Sequence, residues 1–163
     1  MELNLPSPAD TERLGAALAR STPWSAPRSL VVFLHGELGA GKTTLVRGLL
    51  RSLGEQGTVR SPSYTLLETY EPGGHRLLHL DLYRLGGAAE VAALGLRDEL
   101  DAGVLLLIEW PERAPEALPP PDLELDLAIA GSGRSVRIGA ASALGKDWLT
   151  AVIAGDYSRN KSS

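Results

Sequence analysis

The segment Gly36-Glu37-Leu38-Gly39-Ala40-Gly41-Lys42-Thr43 satisfies the pattern GxxxxGK[ST], and it constrains the fold more than any other feature of the chain. Before it, Leu30–Leu34 is continuously apolar, as in a strand buried on both faces. After it, Leu45, Leu49 and Leu53 recur at helical spacing over Thr43–Leu53, and Gly54 stands at the expected C-cap. Strand, glycine turn and helix in that order read as a phosphate-binding unit. Glycines let the backbone curl so that the N–H groups of Glu37, Leu38, Gly39, Ala40 and Gly41 face phosphate oxygens, and the helix adds its positive end. Lys42 would bring a point charge to the β- and γ-phosphates, and the Thr43 hydroxyl would reach magnesium. Thr44 either adds a second hydroxyl or packs.

Such a unit needs an acid at the end of a neighbouring strand. Leu77–Asp81 and Leu105–Glu109 both supply one. The uniformly apolar approach to Glu109 predicts a central strand, whereas Leu78, Leu80 and Leu82 alternate with His79, Asp81 and Tyr83 and predict a more exposed one. Glu109 is therefore assigned to the metal, and Asp81 to the attacking water or the metal's outer waters. A solvated carboxylate is the plain alternative for either acid.

The remaining pattern completes an α/β fold with three layers, a mostly parallel central sheet and antiparallel hairpins. Ser7, Pro8 and Asp10 open a helix running to Arg20. Thr65–Tyr70 and Leu77–Tyr83 form a hairpin around Glu71-Pro72-Gly73-Gly74, with a helical patch following between Ala88 and Leu100. Pro111–Pro121 reads as a surface loop. Leu123–Ile129 and the strand carrying Val136 and Ile138 make a second hairpin about Gly131-Ser132-Gly133. Asp147–Ala154 predicts a closing helix. Residues 1–154 are expected to form one domain, with a flexible tail at 155–163.

Composition removes several classes. With no cysteine and three scattered histidines, neither a disulfide framework nor a zinc thiolate site is available. No apolar run is longer than Val104–Ile108, which falls far short of the roughly 20 residues that span a bilayer. Met1–Asp10 shows no secretory pattern, so a cytoplasmic protein without membrane contact is expected. A net charge of −4 argues against a direct grip on nucleic acid.

Four segments, GELGAGKTT (36–44), SPSYTL (61–66), HLDLYRL (79–85) and IEWPER (108–113), together resemble the bacterial TsaE (YjeE) family, the small ATPase of tRNA threonylcarbamoyladenosine biosynthesis. The likeness runs from about Thr11 to Arg134. It implies ATP and Mg²⁺ as cofactors, and TsaB and TsaD homologues as partners that handle the tRNA, so that tRNA is met only indirectly. It makes Lys42, Asp81 and Glu109 catalytic, places Trp110 near the nucleotide, and sets Thr11 and Arg134 beside the adenine. It also makes Ser61–Thr65 a switch-like segment, with Ser63 departing from the family's usual threonine. Trp110 as a packing anchor and Arg84 as a salt-bridge partner remain the plain readings of those two residues. A small-molecule kinase and a nucleotide-controlled binding switch are the alternative functions.

Overall fold

The chain folds, in a computed structural model that describes residues 1–157, into eleven regular elements: β1 (Glu2–Leu5), α1 (Pro8–Arg20), β2 (Leu30–His35), α2 (Lys42–Ser52), β3 (Leu67–Tyr70), β4 (Arg76–Asp81), α3 (Ala88–Ala93), β5 (Val104–Glu109), β6 (Leu123–Ala130), β7 (Gly133–Ala140) and α4 (Ala143–Val152). The strands make one sheet of order β1-β7-β6-β2-β5-β4-β3. Its centre is parallel, through the β6–β2, β2–β5 and β5–β4 pairs. Its margins are antiparallel, through β1–β7, β6–β7 and β3–β4.

Alternation along the buried strands explains the layers. Leu30, Val32, Leu34, Leu105 and Leu107 face one core, shared with Leu14 and Leu18 of α1, Leu45 and Leu49 of α2 and Trp148 of α4. Val31, Leu78, Leu80, Leu106 and Ile108 face the other, closed by Val91, Leu96 and Ala114. Each such leucine contributes about 1.5–3 kcal/mol by leaving water. A strand apolar on both faces is stable only between two such layers.

Local signals set the helix ends. Ser7 caps α1 by accepting from Asp10 N at 3.3 Å, while Asp10 Oδ2 accepts from Ser7 N at 2.9 Å, so a capping box closes the expected helix start. α1 and α2 then cross at glycine. A methyl group on Gly48 would lie 2.2 Å from Glu12 O, and one on Gly15 would lie 2.1 Å from Leu45 O.

Several boundaries differ from expectation. The Ala88–Leu100 patch is broken at Gly95, in the left-handed region at φ 66°, into α3 and a 3-10 turn at Leu96–Glu99. Pro111–Pro121 contains two 3-10 turns that bury Pro111 and Ala114. β4 stops at Asp81, so Tyr83 leaves the face it was expected to share with His79 and Asp81. The closing helix starts earlier than Asp147 because Ser142 caps it, accepting from Gly145 N at 2.9 Å. Residues 153–157 continue it as a π-helical turn, and the rest of the expected tail, 158–163, lies outside the described residues. Among the described residues no helix is long and apolar enough to cross a membrane.

Candidate functional site

The parallel register of β4 and β5 sets Asp81 directly beside Glu109, and that of β2 and β5 sets Leu34 beside Glu109. Strand spacing thus places two carboxylates on neighbouring strand ends, at the edge where β2 delivers the loop 36–41. The expectation that Asp81 sits on the more exposed strand is overturned. Asp81 is 3% exposed and Glu109 2%, because β4 lies inside the sheet, between β5 and β3, with both faces covered.

Both acids are held by the segment that precedes β3. Ser61 Oγ donates to Asp81 Oδ2 and lies 3.1 Å from Glu109 Oε2; Ser63 Oγ reaches Asp81 Oδ2 at 3.4 Å. The Tyr83 N–H donates to Asp81 Oδ1 at 3.0 Å, so the residue that left the strand still serves the acid through its backbone. The buried His79 places Nε2 2.9 Å from Glu109 Oε2. Ser61 and His79 were legible only as members of motifs. Their direct contact with the acids depends on a loop path and a strand register that no spacing rule gives.

The loop itself is closed by Lys42, which is 5% exposed. Its Nζ donates to Gly36 O and, at 3.1 Å, to Glu37 O. It also lies 4.3 Å from the centre of the Trp110 ring. Burial pushes the Lys42 ammonium below its ordinary value, against the opposing pull of Glu109, Asp81, Glu112 and Glu37. Gly36 and Gly41 have φ of 139° and 104°, conformations that side chains rarely adopt. One backbone donor departs from expectation: Ala40 N–H is used inside the loop, on Glu37 O at 3.1 Å.

Trp110 occupies the left-handed region at φ 58°, which turns the chain out of the sheet just after Glu109. Its N–H donates to Leu34 O at 3.3 Å and its ring packs against Tyr83 at 4.9 Å between centroids. Arg84 stacks on Tyr64, its guanidinium 4.6 Å from the ring centre.

The glycine loop, the two acids, Ser61, Ser63 and Trp110 border a cleft of about 290 Å³. Thr11, Leu38, Gly39, Ala40, Gly41, Lys42, Thr43, Thr44, Asp81, Glu109, Trp110 and Arg134 all line it, whereas Glu37 stands outside, exposed, with only its carbonyl turned to Lys42. Arg134 bridges the far hairpin to the loop by donating from Nε to Gly39 O at 3.0 Å. Leu5, Ser7 and Pro8 complete the same wall. Leu5 went unassigned because β1, a four-residue edge strand, carries too short a pattern to read, and Ser7 and Pro8 were read only as the start of α1.

The family model for threonylcarbamoyl adenosine biosynthesis protein TsaE matches residues 5–136. The chain belongs to the TsaE family. Among its TsaE relatives, the tRNA threonylcarbamoyladenosine biosynthesis protein TsaE of Haemophilus influenzae is 40% identical over 124 residues, covering 76% of this chain and 78% of that protein. The protein of the same name from Streptomyces coelicolor is 41% identical over 128 residues, covering 76% and 86%. The crystal structure of YdiB from Bacillus subtilis superposes with a TM-score of 0.77 at 26% identity, over 96% of this chain and 95% of that one. The TsaE match takes in the whole stretch from Thr11 to Arg134, and with it every residue that lines the cleft, from Leu5 to Arg134.

Proposed function

We propose that this TsaE-family chain is a cytoplasmic, Mg²⁺-dependent ATPase that supports formation of threonylcarbamoyladenosine in tRNA, at the adenosine beside the anticodon, acting with TsaB and TsaD homologues. The observation that carries the proposal is the convergence, on one cleft, of the Lys42-closed glycine loop with two buried carboxylates on adjacent strand ends. The names of the relatives supply the pathway.

The donor set suits the cofactors. Lys42 Nζ is engaged by two main-chain carbonyls, weak partners that phosphate oxygens would replace. Asp81 and Glu109 are neighbouring anions sharing one hydroxyl, and a hard dication relieves their repulsion. Magnesium takes one or two carboxylates, keeps several waters and completes its shell with phosphate. Thr43, Glu109 and Asp81 are the residues that would hold it. When bound, it would neutralise charge developing on the phosphate oxygens.

The protein groups divide the rest of the reaction, ATP and water giving ADP and phosphate. Loop N–H groups and Lys42 hold the phosphates. Asp81 would orient the attacking water, and Glu109 would hold the metal. Trp110 walls the phosphate side, and Thr11 and Arg134 border the base. Turnover by the chain alone is slow, and docking of partners completes the site by ordering the Ser61–Thr65 segment.

Phosphate release from ATP, measured on the purified chain with and without TsaB and TsaD, tests this reading. Partner-stimulated hydrolysis that drops at least about 100-fold in Lys42→Ala is expected. Undiminished hydrolysis by Lys42→Ala overturns the assignment, and phosphate appearing on a small added acceptor makes the chain a kinase instead.

A further inference from the structure

His79 is fully buried on β4, two residues before Asp81 and on the same side of the sheet. Its two ring nitrogens meet opposite fates. Nε2 lies 2.9 Å from Glu109 Oε2, while Nδ1 is buried without any hydrogen-bond partner. An N–H buried without an acceptor is costlier than an idle lone pair, and a carboxylate oxygen at hydrogen-bond distance calls for a donor. Both conditions put the ring proton on Nε2.

That proton has a particular job at Glu109. The second neighbour of Oε2 is Ser61 Oγ, but a hydroxyl has one hydrogen, and Ser61 donates it to Asp81. The imidazole N–H is therefore the fixed donor for this carboxylate, supplied from the rigid sheet rather than from a loop. We propose that His79 is a positioning residue for Glu109: its Nε2–H commits one carboxylate oxygen to the protein, fixes the side-chain torsions, and leaves the second oxygen for a ligand in the cleft. This rests on Glu109 serving the metal, as proposed above. Partners of this kind, behind a metal-binding side chain, commonly change affinity 10–100-fold when removed.

The test uses the full chain and two variants. Nitrogen-15 NMR of the parent imidazole reads the tautomer, and calorimetry reads Mg²⁺ binding in the presence of ADP. Expected are an Nε2-protonated ring for His79 and a roughly tenfold weaker Mg²⁺ response in His79→Leu, with ADP binding in EDTA unchanged. His79→Gln, whose amide can still donate, recovers most of the loss. An Nδ1-protonated ring, or a parental Mg²⁺ response in His79→Leu, overturns the proposal. So does a His79→Gln variant as impaired as His79→Leu, which would reduce the residue to core filling. If the parent shows an Nε2-protonated ring but no Mg²⁺-dependent binding, the functional reading fails first and the positioning role falls with it; a normal parent beside an unaffected His79→Leu faults the positioning role alone.

Discussion

At the scale of single residues, the clearest case of a buried charge made stable is Asp122. Its carboxylate is 1% exposed, yet it accepts from Arg28 at 2.6 and 3.0 Å, from Ser142 Oγ at 2.6 Å and from Val31 N at 2.9 Å. Burial alone raises its pKa, but the hydrogen bonds from Arg28, Ser142 and Val31 outweigh that and hold it below the usual carboxylate value. A depressed folded value has a definite sign. The contribution to stability is complete above the unfolded value near pH 4 and is lost as pH falls through the lower folded value. Asp122→Asn is expected to lower unfolding free energy by about 2 kcal/mol at pH 7 and to flatten the decline below about pH 4. Urea denaturation at pH 7 and pH 3 measures both. An unchanged acid profile in the variant would show that Asp122 does not carry it. Nothing in the sequence marks this residue, which follows a run of prolines and joins groups 20 to 94 positions away.

At the scale of elements, the helix pair that frames the cleft depends on two missing side chains. Replacing Gly48 with alanine sets two effects against each other. Helix propensity favours alanine by about 1 kcal/mol, while a methyl group 2.2 Å from Glu12 O and 2.4 Å from its Cα must push backbone apart. Backbone cannot step aside as a side-chain tip can, so overpacking should win, with a net loss of roughly 1–3 kcal/mol and a lower midpoint in thermal unfolding. A variant more stable than its parent would place the close approach in error. Elements with long, strongly periodic runs were legible: β2, β5 and α2 follow from Leu30–Leu34, Val104–Ile108 and the Leu45/Leu49/Leu53 stripe. Shorter or tertiary-determined ones were not. β1 forms only because β7 offers it an edge. α4 begins where Gly145 lets the helix approach Asp122 O, a contact without a local pattern. Burial of β4 likewise depends on layers contributed by distant segments, which is why alternation along Leu77–Tyr83 suggested too much exposure for Asp81.

At the scale of the whole molecule, the sheet order does the assembling. Parallel strands β2, β4 and β5 end on one edge, so the loop, Asp81 and Glu109 meet there although their positions span residues 36 to 109. The outer hairpin brings Arg134 across to Gly39, and α1 brings Thr11, closing the cleft from the opposite side. The loop and both acids could be read from spacing; the hydroxyl and imidazole that hold the acids could not, since they depend on where 61–66 runs and on strand register. The central claim is that the 36–43 loop grips a nucleotide triphosphate with Mg²⁺. Titration calorimetry of the full chain with Mg-ATP tests it most directly, run beside Lys42→Ala as a control for nonspecific heat. Saturable binding at one site per chain, abolished or weakened at least about tenfold in the variant, is the predicted result. Equal titration curves for the two proteins would contradict it.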